Sequence, residues 1–258
     1  MTKTLANTSK AQATFRTPKG ELIVGPAPGV VGTLSSWTEP PTGGELCDIA
    51  EVRLDQVTDQ ADWLNRCQAI EAGGRPVILT IRHKNEGGKW DGPEEHRQEM
   101  LELALEQLAA VDVEFRSGIV SAIAQRARKL GKVCIASYHD FARTPALADL
   151  REVVSSAQEV ASIVKVSTMV NGEGDVGILR ELLSGNWQVP LCVIGMGALG
   201  TQTRISFATL GSCLTYGYVD KSAAPGQLPA AELVRQLRSL HPRYEEEFLK
   251  RKQMFGFA

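Results

Sequence analysis

The sequence predicts a single (β/α)8 barrel, and three observations carry that prediction. From Glu21 onward, short apolar runs alternate with amphipathic stretches. The apolar runs are nearly continuous rather than alternating, as parallel strands buried on both faces should be. The rhythm repeats about eight times in about 220 residues, the scale of a barrel closed by eight βα units.

Taken in order, the expected strands are 22–24, 46–54, 77–82, 111–115, 133–138, 162–168, 191–195 and 213–219. Helical patterns fill the intervals at 61–72, 93–108, 118–130, 146–161, 176–183, 203–210 and 229–240. Pro93 with Glu94 and Glu95 opens its helix, and Gly131 stops the next. Only the first link lacks a helical pattern, because Pro26, Pro28, Pro40 and Pro41 make it an irregular turn. Residues 1–20, basic and without an acid before Glu21, read as a flexible extension. The barrel domain spans 21–241, and 242–258 reads as an added helix that packs on the barrel or on a second subunit.

Composition narrows the function. The 258 residues carry a net charge of -2 with acids and bases interspersed, which argues against a nucleic-acid surface or a polybasic membrane patch. No apolar run approaches the ~20 residues that span a bilayer. Five scattered cysteines without a C-x-x-C pair indicate neither a disulfide framework nor a zinc site, and suit a reducing cytoplasm. Small-molecule chemistry is the expectation.

In a barrel of this kind the active site lies at the C-terminal ends of the strands. There the sequence sets Glu51, Arg53 and Asp55 on one strand face, where an acid and a base two apart can pair. Arg82 ends the third strand and Glu86 follows on a glycine-bearing loop. His139 ends the fifth strand, and Lys165 lies within the β-branched sixth. A lysine so placed is either satisfied by a buried carboxylate or is an amine nucleophile. A histidine at a strand end opposite it favours the second reading. Gly195-Met-Gly-Ala-Leu-Gly200 matches a dinucleotide fingerprint, but it falls in the seventh unit, with too few units after it for a Rossmann domain. It reads instead as an anion loop, completed by Arg204 and Gln227. An amine, an imidazole and an anion clamp suit an imine-dependent dehydratase or aldolase, and the residues alone do not choose between them.

In order and spacing, Glu51-Val-Arg53-Leu-Asp55, the 82–88 run with Glu86-Gly-Gly, Ser137-Tyr-His139-Asp-Phe, the Lys165 strand, Met196 with Arg204, and Ala224-Pro-Gly-Gln227 resemble type I 3-dehydroquinate dehydratase. The resemblance implies loss of water from 3-dehydroquinate in the shikimate pathway. Lys165 would form the imine, His139 would act as base and then acid, and Glu86 would orient His139. Glu51, Arg53 and Arg82 would hold ring hydroxyls, and Arg204 and Gln227 the carboxylate, with Met196 and Ser222 also at the substrate. It implies no metal or organic cofactor and a homodimer, while the charge pattern already argues against nucleic-acid or membrane partners. Two departures stand out: Ala223 occupies the family's usual serine position, with Ser222 one place early, and Val52, expected to face outward, replaces a tryptophan. The alternatives are a class I aldolase and a ligand-binding sensor.

Overall fold

The structure, a computed structural model, describes residues 11–37, 45–222 and 224–255. It opens with an antiparallel hairpin, β1 (Ala13–Thr17) and β2 (Gly20–Val24). The barrel wall follows: β3 (Gly29–Leu34), β4 (Ile49–Arg53), β5 (Val77–Thr80), β6 (Ala110–Glu114), β7 (Val133–Asp140), β8 (Ile163–Met169), β9 (Leu191–Met196) and β10 (Leu214–Tyr218). All neighbours pair in parallel, in the order β10-β3-β4-β5-β6-β7-β8-β9. The β9/β10 seam is bridged where the Cys213 N–H donates to the Leu191 carbonyl at 2.9 Å. The result is a nearly closed (β/α)8 barrel.

Strand parity builds two cores. Outward residues such as Val52, Leu79, Val111, Val113, Val164 and Val193 pack under the helices α1 (Trp63–Ala72), α2 (Glu94–Gln107), α3 (Val120–Leu130), α4 (Leu147–Ala157), α5 (Glu173–Leu183) and α6 (Thr203–Leu210). Val52 thus faces outward as expected. Inward residues near the strand starts, including Ile49, Ile78, Ile135 and Ile163, form an apolar layer with Ala13, Phe15, Leu22 and Val24 of the hairpin. The hairpin therefore closes the N-terminal end of the barrel.

That arrangement corrects the expectation that 22–24 is the first barrel strand. Leu22 and Val24 are buried while Glu21 and Ile23 are exposed, the alternation of a strand covered on one face only. The true first strand holds two glycines. An added Cβ at Gly32 would lie 2.7 Å from both Cys47 Sγ and Val219 Cγ2, so packing demands the residue that weakens the strand pattern. Residues 13–17, assigned in the sequence to an extension, are part of this plug. Pro40 and Pro41 lie outside the described residues. Helix α5 starts three residues before the expected 176, because the Asp175 carboxylate accepts the N–H groups of Asn171 at 2.7 Å and Gly172 at 3.3 Å.

After α7 (Ala230–Leu240), the helix α8 (Pro242–Phe255) packs on this chain's own barrel. Tyr244 and Phe248 are buried against Leu233, Val234 and Leu237, and the Tyr244 hydroxyl donates to Asp48 Oδ2 at 2.9 Å. Among the described residues no helix is long and apolar enough to cross a membrane. All five cysteines are free and buried.

Candidate active site

The barrel interior changes from apolar to polar along its axis. Above the isoleucine layer the same strands send Glu51, Arg53, Asp112, Glu114, Ser137, His139 and Lys165 inward, all at the C-terminal end. A cavity opens there. Glu51, Arg53, Arg82, Glu86, His139, Lys165, Met196, Arg204 and Gln227 all line it, so nine of the ten sequence-derived candidates converge. Ser222 is the exception. It is exposed and its hydroxyl donates to the Ala224 carbonyl at 3.0 Å, while Ala224 itself reaches the cavity. Ala223 lies outside the described residues.

Lys165 rests on a carboxylate that the sequence reading passed over. Its Nζ donates to Asp112 Oδ2 at 2.7 Å, and both side chains are buried. Asp112 Oδ1 accepts from Arg82 Nη2 at 2.5 Å and from Ser137 Oγ at 2.7 Å. Burial alone would raise the Asp112 pKa, but the Arg82 and Lys165 cations outweigh it and hold the carboxyl well below the usual range. Arg82 also meets Glu114 at 3.2 Å. Burial disfavours its charge, yet Asp112 and Glu114 hold it above the ordinary arginine value. The structural reading of Lys165, an amine satisfied by a buried acid, is therefore realised, and it leaves the amine on the cavity wall. Tyr216 covers another side of that amine, with Nζ 4.4 Å from the ring centroid.

His139 and Lys165 stand on adjacent strands rather than facing each other across the barrel. Lys165 pairs in register with Ser137, and His139 is two residues nearer the mouth. Glu86, on a short 3-10 turn (Lys84–Glu86), reaches the imidazole: its Oε2 lies 2.9 Å from His139 Nδ1 and accepts the His139 backbone N–H at 3.1 Å. The turn ends at Gly87 with φ 76°, where a side chain would collide with Phe141. Burial pushes the Glu86 carboxyl up to about 7. Burial, then the Arg82 and Lys165 cations, push the His139 imidazole well below 6.5. With Glu86 ionised, Nδ1 carries the hydrogen and Nε2 presents a lone pair, the form of a general base.

The expected pairing of an acid and a base two apart at the end of β4 is present: Arg53 takes Asp55 in a two-pronged contact at 2.9 Å on each prong. Glu51 instead accepts from the hydroxyls of Thr33 at 3.0 Å and Thr80 at 2.9 Å. Arg204 donates to the carbonyls of Gly226 at 2.9 Å, Tyr216 at 3.0 Å and Pro225 at 3.4 Å, tying down the loop after β10. Burial without a facing carboxylate lowers its pKa to about 10. Gln227 Nε2 donates to Thr33 Oγ1 at 3.3 Å. The glycines of the 195–200 run serve backbone packing: a Cβ at Gly200 would sit 2.4 Å from the Gly195 carbonyl carbon. Asp220 is bound by the hydroxyls of Ser35 at 2.9 Å and Ser36 at 2.8 Å, a loop clasp. Among the described residues no group of three or more His, Cys, Asp and Glu is arranged to hold a metal ion.

Fold and cavity together define a (β/α)8 barrel whose C-terminal mouth holds an amine beside a carboxylate-supported imidazole, the arrangement of an enzyme of this fold class. The family model for type I 3-dehydroquinase matches residues 42–243. A 3-dehydroquinate dehydratase from Methanocella arvoryzae is 33% identical over 214 residues, covering 83% of this chain and 97% of the relative. A solved 3-dehydroquinate dehydratase from Aquifex aeolicus VF5 has a TM-score of 0.72 at 28% identity, covering 82% of this chain and 98% of that one. A type I 3-dehydroquinate dehydratase from Clostridium difficile shares the fold, with a TM-score of 0.78 at 22% identity over 90% of this chain and 98% of that one. The chain belongs to the type I 3-dehydroquinase family, a family of hydro-lyases.

Proposed function

We propose that this enzyme converts 3-dehydroquinate to 3-dehydroshikimate and water through an imine on Lys165. The observation that carries the reading is a buried amine on the wall of the same cavity as an imidazole held by a carboxylate. The amine, once neutral, attacks the substrate ketone, and the carbonyl oxygen leaves as water. The resulting iminium draws electrons from the adjacent C–H bond. His139 Nε2 takes that proton, and the C–H electron pair moves toward nitrogen to give an enamine. The enamine then expels the hydroxyl, which receives the proton back from His139 and departs as water. Hydrolysis of the product iminium frees Lys165.

In this reading Glu86 fixes the His139 tautomer, and Asp112 anchors the amine between turnovers. Glu51, Arg53 and Arg82 receive ring hydroxyls. Arg204 and Gln227 take the substrate carboxylate, the negative partner that the buried guanidinium lacks. Met196 packs on the ring. Ser222 reaches the substrate only if its loop rearranges, and Ala224 lines the cavity in its place. The imine is the electron sink, so the reading calls for no metal or organic cofactor. It further holds the enzyme to be a cytoplasmic homodimer without nucleic-acid or membrane partners.

The test is the absorbance of the conjugated enone product. The unsubstituted protein should generate it from 3-dehydroquinate and Lys165→Ala should not; full turnover by Lys165→Ala would overturn the imine.

A further inference from the structure

Asp55 joins two parts of the site without lining the substrate cavity. Arg53 and Glu86 both line it, while the Asp55 side chain is fully enclosed. Its two oxygens accept three N–H groups. Oδ1 takes Arg53 Nε at 2.9 Å, and Oδ2 takes Arg53 Nη2 at 2.9 Å and the Lys89 backbone N–H at 3.1 Å. One carboxylate thus ties the end of β4 to the loop that carries Glu86.

That loop is closed at its base, where the Lys84 N–H donates to the Trp90 carbonyl at 2.9 Å and the Trp90 N–H to the Arg82 carbonyl at 3.0 Å. One limb is held to β6, because the His83 N–H donates to Glu114 Oε1 at 2.8 Å. The other limb is held to Asp55 through Lys89. The turn between them is tight: an added Cβ at Gly88 would lie 1.9 Å from the Arg82 carbonyl oxygen. Glu86 projects from this loop to His139 Nδ1 at 2.9 Å. Its aim therefore depends on both anchored limbs. A charged acceptor holds N–H groups more firmly than a neutral one, and a catalytic group displaced by about 1 Å can cost on the order of 100-fold in rate.

We propose that Asp55 is a positioning residue for both halves of the mouth. It fixes Arg53 on the wall that receives the ring hydroxyls, and through the Lys89 N–H it fixes the loop that aims Glu86 at His139. The inference rests on the dehydratase reading above.

Two substitutions separate the halves. Lys89→Pro, at an exposed residue without a positive φ, removes the N–H given to Asp55 and leaves the Arg53 contact in place. It should lower kcat about tenfold with KM unchanged. Asp55→Asn keeps the side-chain shape but weakens both links, so kcat should fall likewise and KM should rise about tenfold. In a Glu86→Gln background neither should lower kcat by more than about twofold, because the carboxylate they position is already gone. The KM rise of Asp55→Asn should persist there. Unchanged kcat in both single variants would overturn the loop half of the proposal, and so would a tenfold loss from Asp55→Asn that recurs in Glu86→Gln, the mark of a merely structural role. Unchanged KM in Asp55→Asn would overturn the Arg53 half. Absence of enone product from the unsubstituted protein would instead overturn the dehydratase reading, so the failures are distinguishable.

Discussion

Asp112→Asn isolates the interaction that lets Lys165 stand inside the barrel. Asp112 is fully enclosed and compensates Lys165 at 2.7 Å and Arg82 at 2.5 Å. Asparagine keeps the shape and one acceptor for Arg82 and Ser137, but it turns either a neutral oxygen or a competing N–H2 toward the Lys165 ammonium. Breaking one side of a buried pair leaves an uncompensated charge and costs about 3–5 kcal/mol. For a chain of this size, that is a fall in Tm on the order of 10 °C. The sign of the pH dependence comes from Asp112 itself: its carboxyl is held well below the usual range in the folded protein, so the stability it contributes is present at neutral pH and is lost as pH falls through the unfolded value of about 3.9. Asparagine makes no such contribution. Urea unfolding of both proteins at pH 7 and pH 3, under conditions chosen for reversibility, reads this directly. The stability gap should narrow at pH 3. A gap under about 1 kcal/mol at both values would refute the claim that Asp112 is what makes the buried ammonium tolerable.

Further outcomes follow from other parts of the molecule. The competent pair is ionised Glu86 with neutral His139, and Glu86 titrates at about 7, so kcat/KM should rise with pH through that value. In Glu86→Gln that acid limb should vanish and kcat should fall about 100-fold; a retained limb would assign it to another group. Tyr244→Phe removes the donor to Asp48 Oδ2, which also accepts the Val30 N–H at 2.8 Å, and should cost about 1–2 kcal/mol in chemical denaturation with kcat unchanged. Gly32→Ala forces a methyl against Cys47 and Val219 and should destabilise by about 1–3 kcal/mol. A neutral effect would mean that β3 shifts freely.

The parts of the fold that were legible in the sequence are those where burial on both faces leaves an unbroken apolar run, as at Val77–Thr80 and Leu191–Met196. The first strand escaped because its glycines answer to tertiary contacts, Gly32 with Cys47 and Val219 and Gly29 with Val24, Leu214 and Ile49. The hairpin took its place because Leu22 to Val24 carries the same three-residue signal whether it lines a barrel or plugs one. At the site, strand parity put Glu51 and Arg53 on one face, position at a strand end picked out Arg82 and His139, and Lys165 stood out as a lone cation in a β-branched strand. Parity says nothing about which inward neighbour pairs with which. Asp112 was passed over, because its place between Lys165 and Arg82 depends on strand register. Nothing in the order of the chain sets Tyr216 beside Lys165, which it covers from β10. Parity put Glu51, Arg53 and Asp55 on one face, and side-chain reach at the rim decides that Arg53 takes Asp55.

An imine on Lys165 is a covalent bond that reduction makes permanent. Incubation with 3-dehydroquinate and borohydride, followed by intact mass and peptide mapping, should place one reduced adduct on the peptide containing Lys165 and abolish activity in proportion. An enzyme that turns over substrate at full rate, remains active after borohydride, and carries no modification at Lys165 would contradict the account.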